Sequence, residues 1–380
     1  MISRRDLHEL LSHPPDTESP VLSLYLDVDQ QQAVNLNRGF ESVLKSMIRR
    51  VEHGLGHNSR LKEFLGDARL ASSFVSDYQP AGKSLVLFCD ASRGFTWHRS
   101  LNVTLDSSVH WTPRAYVRPV VEARDEFERC GVILTDRARA RLFTVYLGSI
   151  EEHHEAFAES DVKKVDASGM DQMFSQKNFQ RKADEHVRWH LKKVAEMADR
   201  LVEARRFGRL ILGGAHEVTA ELKNLLSERL KKCLVGSVTL PMEAGTADIL
   251  TETIALEEAV EREEEEVLAR RLVTAAAKER QAAVGLPKVL EALNLGRVRR
   301  IVYSDRFDAS GFECRECGGL FESHSGQCRD CNGLQIESQD LLNAGIARVL
   351  REGGEVEQLK STAAVSFLEK AGGIGAFLRF

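Results

Sequence analysis

The chain has 380 residues, of which 43% are hydrophobic and 29% are charged, and its formal net charge is −5. This length predicts two or three domains, and this composition is typical of a soluble globular protein that can bury several cores. No stretch approaches the roughly 18 apolar residues of a membrane span, and no signal-peptide pattern opens the sequence. We therefore expect a cytoplasmic protein that makes no contact with membranes.

The first block of the chain contains both strand and helix patterns. The segment "SPVLSLYLDV" (19–28) is apolar and β-branched, which predicts a strand, and a long helical pattern follows over 37–55. A second buried strand is predicted at "KSLVLFCD" (83–90). The charged segment "EARDEFERC" (122–130) is typical of a linker, which places the N-terminal domain at residues 1–125.

The remaining chain divides into two further blocks. Two strands around a polar turn are predicted over 130–150, and a strand, a Gly-Gly turn and a helix over 209–226. Because strands and helices alternate, we expect an α/β layer in a central domain at 126–272. A C-terminal domain at 273–380 contains helix, strand, a cysteine-rich insert, helix and a last strand. The predicted fold class is therefore mixed α/β (α+β), with three domains that each pack helices on a mixed sheet.

Charge is unevenly distributed along the chain. The segment Lys163–Arg209 has twelve Lys and Arg against seven acids, whereas Glu243–Glu266 has ten acids and a single cation, Arg262. A cationic segment within an acidic protein favours local contact with a polyanion. Charge alone leaves an equally good alternative, a solvated helix face.

Four of the seven cysteines form two C-x-x-C pairs within "CRECGGLFESHSGQCRDCNG". Two thiolates at this spacing can bind one tetrahedral ion from a tight turn, and the following Gly or Asn tolerates left-handed backbone. We predict a zinc ribbon over 312–334 with structural Zn on four thiolates: Cys314, Cys317, Cys328 and Cys331. A reduced thiol cluster is the alternative, and His324 could substitute as a ligand. With all four positions filled by protein, no position remains for a catalytic water.

The other potential metal ligands are less specific. Cys89, Cys130 and Cys233 lie in apolar strand contexts, so we expect buried core thiols. His186 and His190 lie four residues apart on a helical pattern and could share a metal, but no third ligand is near. We therefore prefer the interpretation that the two histidines are solvated or face phosphate over the interpretation that they share a metal.

The segment "GMDQMFSQKNFQRK" (169–182) opens a long amphipathic helix. Apolar residues recur every three or four positions from about Ser175 to Arg206, which predicts a buried stripe: Phe179, Ala183, Val187, Leu191, Val194, Ala198 and Leu201. The remaining faces are cationic: Lys177, Arg181, Lys182, Arg188, Lys192 and Lys193. Cations at a helix start oppose the macrodipole, a cost that phosphate binding could offset.

The residues before this helix lack a core partner in the sequence. Gln172, Met173, Phe174 and Gln176 lie in a tip loop at 165–178, which we interpret as a mobile tip. A loop folded back on its own domain is the alternative.

Three segments resemble the archaeal and eukaryotic class I peptide chain release factors, their bacterial homologues more closely, and Pelota more distantly. "GGIGAFLRF" (372–380) resembles the ending of the family's third domain, and "QKNFQRKADEHVRWHLKKVAE" (176–196) resembles the basic helix after its Gly-Gly-Gln loop. "RLILGGAHEVTAEL" (209–222) is similar to a strand and turn of the same domain. The resemblance implies a decoding-like first domain, a second domain that reaches the peptidyl-transferase centre, and a third that binds a translational GTPase. Elongation factor Tu is one such GTPase, and we expect a monomer.

The family's functional motifs are altered here. Alignment on the helix places Gln172, Met173 and Phe174 where the family has Gly-Gly-Gln, while "GMDQ", ending at Gln172, fits a Gly-x-x-Gln variant in a shifted register. Gln176 has no glycine before it. "NLNR" (35–38) replaces Asn-Ile-Lys-Ser, and "YVRPVVE" (116–122) lacks the Cys and Phe of the other codon motif. Codon-specific termination is therefore not expected.

Three functions remain open from sequence. The favoured one is a non-catalytic factor in the ribosomal A site whose Met173 and Phe174 plug the peptidyl-transferase centre, as in hibernation. RNA contacts would come from the helix cations Lys177, Arg181, Lys182 and Arg188. The alternative is a codon-independent peptidyl-tRNA hydrolase for ribosome rescue, with Gln172 or Gln176 positioning the water. The third is an RNA-binding stress protein that acts away from the ribosome.

Overall fold

The computed structural model describes five stretches of the chain: residues 4–12, 19–56, 60–153, 175–205 and 207–380. They form three sheets of four or five strands with helices packed against them, and one small three-stranded sheet. The mixed α/β class predicted from sequence is thereby confirmed. Among the helices so described, none combines the length and apolarity needed to cross a bilayer.

The chain divides into two compact units. One is formed by Met1–Glu126 together with Glu261–Phe380, and the other by Phe127–Val260. The first and last parts of the chain therefore share a unit, and the part between them forms its own.

The first sheet belongs to the shared unit and is entirely antiparallel, so the mixed sheet predicted for this part of the chain is wrong. Its strands are β1 (Val21–Asp27), β2 (Ser84–Asp90), β3 (Phe95–Leu101) and β4 (Ser108–Thr112), in the order β3–β2–β1–β4. The helices of this segment are α1 (Arg4–Ser12), α2 (Ala33–Leu36), α3 (Gly39–Leu55), α4 (Leu61–Asp77) and α5 (Arg118–Glu126). Apolar side chains of α3 and α4, among them Phe40 and Phe64, pack on β1 and β2 to form the core. The strands and the long helix predicted here are confirmed.

The second unit contains a five-stranded mixed sheet. Its strands are β5 (Cys130–Thr135), β6 (Ala140–Tyr146), β7 (Ser149–Glu152), β8 (Arg209–Gly213) and β9 (Leu234–Val238), in the order β7–β6–β5–β8–β9. Its helices are α6 (Ser175–Arg205), α7 (His216–Leu225) and α8 (Glu228–Cys233), and α9 (Thr246–Ala277) contributes residues to both units. Strands β5, β8 and β9 are parallel, as the predicted α/β alternation requires.

The last part of the chain adds a mixed sheet and a ribbon to the shared unit. The sheet strands are β10 (Ala282–Val284), β11 (Val298–Ser304), β15 (Glu355–Leu359) and β16 (Ile374–Leu378), in the order β10–β16–β11–β15. The ribbon strands are β12 (Gly311–Cys314), β13 (Leu320–Phe321) and β14 (Gln335–Ser338). The helices are α10 (Leu286–Asn294), α11 (Leu341–Arg351) and α12 (Thr362–Glu369).

The Gly-rich C-terminal motif is explained by strand packing. Gly372 has a φ of 100°, and a Cβ there would lie 2.9 Å from the Cα of Gly285. A Cβ on Gly375 would lie 2.7 Å from a methyl of Leu272. These glycines therefore allow β16 to enter the middle of its sheet beneath α9.

The charged segment expected as a linker (122–130) begins inside helix α5, and the division between the two units falls directly after that helix, at Glu126. Val120 and Val121 of α5 are buried, and Arg118 pairs with Glu122 at 2.7 Å. Tyr303 donates a hydrogen bond to the same Glu122 carboxylate at 3.1 Å. The charged residues of α5 are thus held by partners within the unit, which composition alone does not reveal.

Candidate metal centre and cationic helix

The four cysteines of the two C-x-x-C pairs lie together at the end of the ribbon. Their sulfur atoms all lie within 4.8 Å of one another, with Cys314 and Cys331 at 3.4 Å and Cys317 and Cys328 at 3.6 Å. A tetrahedral ion with Zn–S bonds of about 2.3 Å requires sulfur separations of roughly 3.8 Å. The four thiols therefore fit a single zinc-like ion, and these separations are too long for disulfides, whose S–S bond is about 2.0 Å.

The two cysteine turns repeat the same backbone hydrogen bonds. In the first, Cys314 donates its N–H to Gly319 O at 2.8 Å and accepts at its own carbonyl from Gly318 N at 2.9 Å. The second turn has the same two bonds. Cys328 donates its N–H to Gly333 O at 2.8 Å, and its carbonyl accepts from Asn332 N at 2.9 Å. Gly318 and Asn332 have φ values of 68° and 60°. The left-handed backbone predicted after each pair is therefore present.

The electrostatics of the thiols favour a bound cation. Burial opposes ionisation of Cys314, but N–H groups of Cys317 and Glu316 that point at its sulfur lower its pKa to about 7. Burial and the neighbouring thiols raise the pKa of Cys317 to about 12. Four thiolates this close repel one another, and a divalent cation among them removes that repulsion.

The ribbon is fixed to the rest of its unit by polar contacts. Asn294 of α10 exchanges two hydrogen bonds with the backbone of Leu320, at 2.8 and 2.9 Å. Arg348 of α11 donates to Gly318 O at 3.2 Å, next to the first cysteine pair. His324 packs against the Phe312 ring at 4.9 Å and is not part of the four-sulfur cluster, so it is not needed as a substitute ligand.

The remaining cysteines are held in apolar surroundings to different degrees. Cys89 and Cys130 are fully buried, and burial raises the pKa of Cys89 to about 12. Cys233 is only half-buried at the edge of the second unit's core. The expectation of buried core thiols is confirmed for two of the three, and Cys233 is the exception because it ends a short surface helix.

Helix α6 buries the predicted apolar stripe in the core of the second unit. Leu191, Val194 and Ala198 are buried there, and Val187 and Leu201 pack at its edge. The helix backbone runs over 31 residues, and its described side chains begin at Asp184. The other two predicted stripe residues, Phe179 and Ala183, lie outside the described side chains.

The side of α6 opposite the stripe carries cations, acids and an exposed aromatic ring, with Glu185 and Glu196 exposed among the cations. Arg188 and Lys192 are exposed, and the Lys193 ammonium lies 4.0 Å from the centroid of the Trp189 ring. Trp189 is 50% exposed, although Trp is normally well buried. The sequence interpretation missed it, and the available signal was a Trp on the cationic side of the amphipathic pattern.

The two histidines of α6 do not form a metal site. His186 is exposed, whereas the Nε2 atom of His190 lies 3.2 Å from Arg139 O and 3.4 Å from Thr135 Oγ1. Burial lowers the pKa of His190, against the opposing effects of the Arg139 carbonyl and Asp136, and thereby favours the neutral ring. Within the described stretches, the four cysteines are the one cluster of three or more potential metal ligands.

The predicted tip residues cannot be placed. Gln172, Met173 and Phe174 lie outside the described residues. Four others belong to the α6 backbone, but their side chains lie outside the described ones: Gln176, Lys177, Arg181 and Lys182. Their catalytic, plugging and RNA-binding roles stay predictions.

The segment that replaces the codon-reading motif is occupied by internal contacts. Asn35 is buried and donates to Asp27 Oδ1 at 3.3 Å and to Asp29 O at 3.2 Å. Arg38 donates to three backbone carbonyls at the end of α4 at 2.8 to 3.1 Å: those of Val75, Ser76 and Tyr78. Both residues therefore serve the local fold.

Comparison with known proteins identifies the central part of the chain as release-factor-like. Residues 116–258 match the family model described as bacterial archaeo-eukaryotic release factor family 10. This range includes α6 and the sheet of the second unit, and it confirms the resemblance inferred from the sequence. A search of curated proteins finds no significant match.

Solved structures similar to this chain include three translation factors. The archaeal translation termination factor aRF1 is 17% identical, with 100% of this chain and 99% of that chain covered and a TM-score of 0.26. A model of ribosome-bound archaeal Pelota and ABCE1 is 14% identical, with 100% of this chain and 94% of that chain covered and a TM-score of 0.41. Dom34 of S. cerevisiae, which interacts with Hbs1, is 10% identical, with 78% of this chain and 80% of that chain covered and a TM-score of 0.40. At these TM-scores the superpositions are loose, and the family match is the stronger finding.

Proposed function

From the family match over residues 116–258, we propose that this chain is a translation factor that binds the ribosome. It occupies the A site and directs the tip loop at 165–178 toward the peptidyl-transferase centre. It acts there as a protective, inhibitory factor of the hibernation type and does not read stop codons. The observation that carries the proposal is the group of Arg188, Lys192 and Lys193 around the exposed Trp189 of α6, which lies within the matched segment.

The composition of that group suits ribosomal RNA. Arg188, Lys192 and Lys193 offer charges to backbone phosphates, while the buried stripe around Leu191 holds the helix on its sheet. Trp189 offers a ring on which a base can stack, a contact worth roughly 1–3 kcal/mol. On a solvated helix Trp189 gains only its contact with Lys193, whereas a stacked base would also cover the exposed half of the ring, which favours the RNA-binding interpretation.

The proposal excludes stop-codon reading because of the contacts made by the replacement motif. Asn35 is buried, and the guanidinium of Arg38 is used to cap α4. Neither side chain is available for hydrogen bonds to a codon without loss of those contacts.

The metal centre has a structural role in this account. The proposed ion is Zn, held by Cys314, Cys317, Cys328 and Cys331, whose thiolates fill all four positions of a tetrahedron. The ion closes the end of the ribbon that packs against α10 and α11. The third sheet and its ribbon are proposed to contact a translational GTPase, and elongation factor Tu and a monomeric state stay predictions.

Ribosome binding tests the proposal. Replacing Arg188, Lys192 and Lys193 together by Gln removes three phosphate contacts, so affinity falls and the slope of log Kd against log salt decreases by roughly two to three units. Sedimentation with purified ribosomes over a series of potassium chloride concentrations measures this slope.

The matched control removes the same charge elsewhere on the second unit. Lys223, Lys231 and Lys232 are exposed on α7 and α8, and their joint replacement by Gln should leave the slope within half a unit of wild type. If the α6 variant and this control have equal slopes, the α6 face is only solvated and the proposal loses its main support.

A further inference from the structure

A second cationic face lies on helix α3, far along the chain from α6. Six exposed side chains and one glycine line an open concavity of about 670 Å³: Ser42, Lys45, Ser46, Arg49, Arg50, His53 and Gly54. Positions 42, 45, 46, 49 and 53 repeat at three and four residues, so they form one stripe along the helix.

Packing fixes the orientation of this stripe. The opposite side of α3 carries Phe40, Leu44 and Met47, which are buried against the first sheet. Rotating the helix to hide its cations would expose these apolar side chains, at a cost set by the area returned to water. The cationic stripe is therefore held outward by the core.

The lysine and arginines of this stripe are not paired with acids in the described stretches. Within the described part of the chain, no carboxylate oxygen lies within 4.0 Å of the side-chain nitrogens of Lys45, Arg49 or Arg50. Glu41, four residues before Lys45, pairs with Arg38 instead. Other helices of the chain do pair their cations locally, as Arg118 does with Glu122.

Unpaired like charges four residues apart oppose helix formation. Lys45 and Arg49 stand at this spacing near the middle of α3, where the helix dipole does not compensate them. An anionic partner along the stripe would relieve the repulsion.

We propose that the α3 stripe binds the sugar-phosphate backbone of RNA, as a second contact separate from α6. Three cationic side chains, one histidine and two serines all offer N–H or O–H groups that phosphate oxygens accept. The choice of RNA among polyanions rests on the proposed ribosomal function. The stripe has no Phe, Tyr or Trp among its lining side chains, so we expect contacts to phosphates and no sequence preference.

Other anionic partners fit the stripe less well. A membrane surface needs an apolar helix face exposed beside the cations, and the apolar face of α3 is buried in the core. An acidic peptide would need pockets for its side chains, and the concavity is lined by one helix alone. A backbone that presents a regular row of phosphates matches a straight row of cations.

The test measures binding of the full-length protein to a short fluorescent oligouridylate by anisotropy, over a series of salt concentrations. Lys45→Gln/Arg49→Gln/Arg50→Gln should weaken binding by about ten-fold or more and reduce the salt slope by roughly two units. Lys45→Arg/Arg49→Lys/Arg50→Lys keeps the charge and should retain both the affinity and the slope. The Gln variant of Lys223, Lys231 and Lys232 is the control for loss of charge.

Each outcome decides one claim. An α3 variant that matches the control, or a wild-type protein that does not bind oligouridylate at low salt, would overturn the inference. Equal binding of polyglutamate would also overturn it and assign the stripe to an acidic protein. If RNA binding depends on α3 but the protein does not sediment with ribosomes, the proposed function fails and the inference stands.

Discussion

Left-handed backbone at Gly318 and Asn332 shapes the metal centre as much as the cysteines do. Each residue closes its turn by donating an N–H to the carbonyl of the first cysteine of its pair. A β-branched side chain at either position would meet a strain of roughly 1–2 kcal/mol. Because C-x-x-C spacing and the following Gly or Asn are both visible in the sequence, the ligand set and its turns could be predicted from the sequence alone.

Removal of one ligand should release the metal. We expect the wild-type chain to retain one zinc ion through dialysis, and Cys314→Ser to lose it and to lower the melting temperature by several degrees, because the ribbon loses its ligand set. Elemental analysis and thermal unfolding measure the two effects.

Cys233→Ser is the control, since that half-buried thiol lies outside the four-sulfur cluster. It should keep the zinc. A metal-free wild-type chain whose melting is unchanged by Cys314→Ser would contradict the zinc assignment.

Among the elements, α6 and α5 differ in how far sequence could predict them. The stripe of α6 repeats at helical spacing for many turns, so Leu191, Val194 and Ala198 were assigned correctly to the core. Helix α5 is short and charged, and its carboxylates are bound by residues distant in sequence, with Tyr303 donating to Glu122 and Lys360 pairing with Glu126. Long-range partners of this kind leave no local pattern, which is why this segment was predicted as a linker.

The contacts of α5 predict a large effect at Asn343. This buried amide of α11 accepts hydrogen bonds from Val117 N at 3.1 Å and Arg118 N at 3.2 Å. Asn343→Ala leaves two N–H groups unpaired, so we expect a loss of about 2–4 kcal/mol in the free energy of unfolding. Urea unfolding measures it.

Asn37→Ala provides the comparison, because Asn37 is exposed beside the same unit's first helices. Its effect should stay within about 0.5 kcal/mol. An equally small effect of Asn343→Ala would mean that water replaces the amide and that α5 is not fixed by α11.

At the scale of the whole molecule, the first and last parts of the chain form one unit. The sequence predicts three sheets in chain order and a ribbon, and the described residues form three larger sheets and the small ribbon sheet. The sequence does not show that the first and last of the larger sheets belong to one unit. Their union depends on single contacts such as Asn343 with Val117 and Asp340 with Tyr116. The division into domains at 1–125, 126–272 and 273–380 stays a prediction. The choice between a factor that plugs the peptidyl-transferase centre and a peptidyl-tRNA hydrolase depends on the tip loop, whose role is a prediction from sequence.

The central claim is that the tip blocks the peptidyl-transferase centre without hydrolysing peptidyl-tRNA. The most direct measurement follows peptide release and peptidyl transfer on ribosomes loaded with peptidyl-tRNA, with and without the protein. We expect no release above the uncatalysed rate, inhibition of peptidyl transfer by wild type, and loss of inhibition in Met173→Ala/Phe174→Ala. Release by wild type that disappears in Gln172→Ala or Gln176→Ala, while ribosome binding persists, would contradict the account and identify a rescue hydrolase.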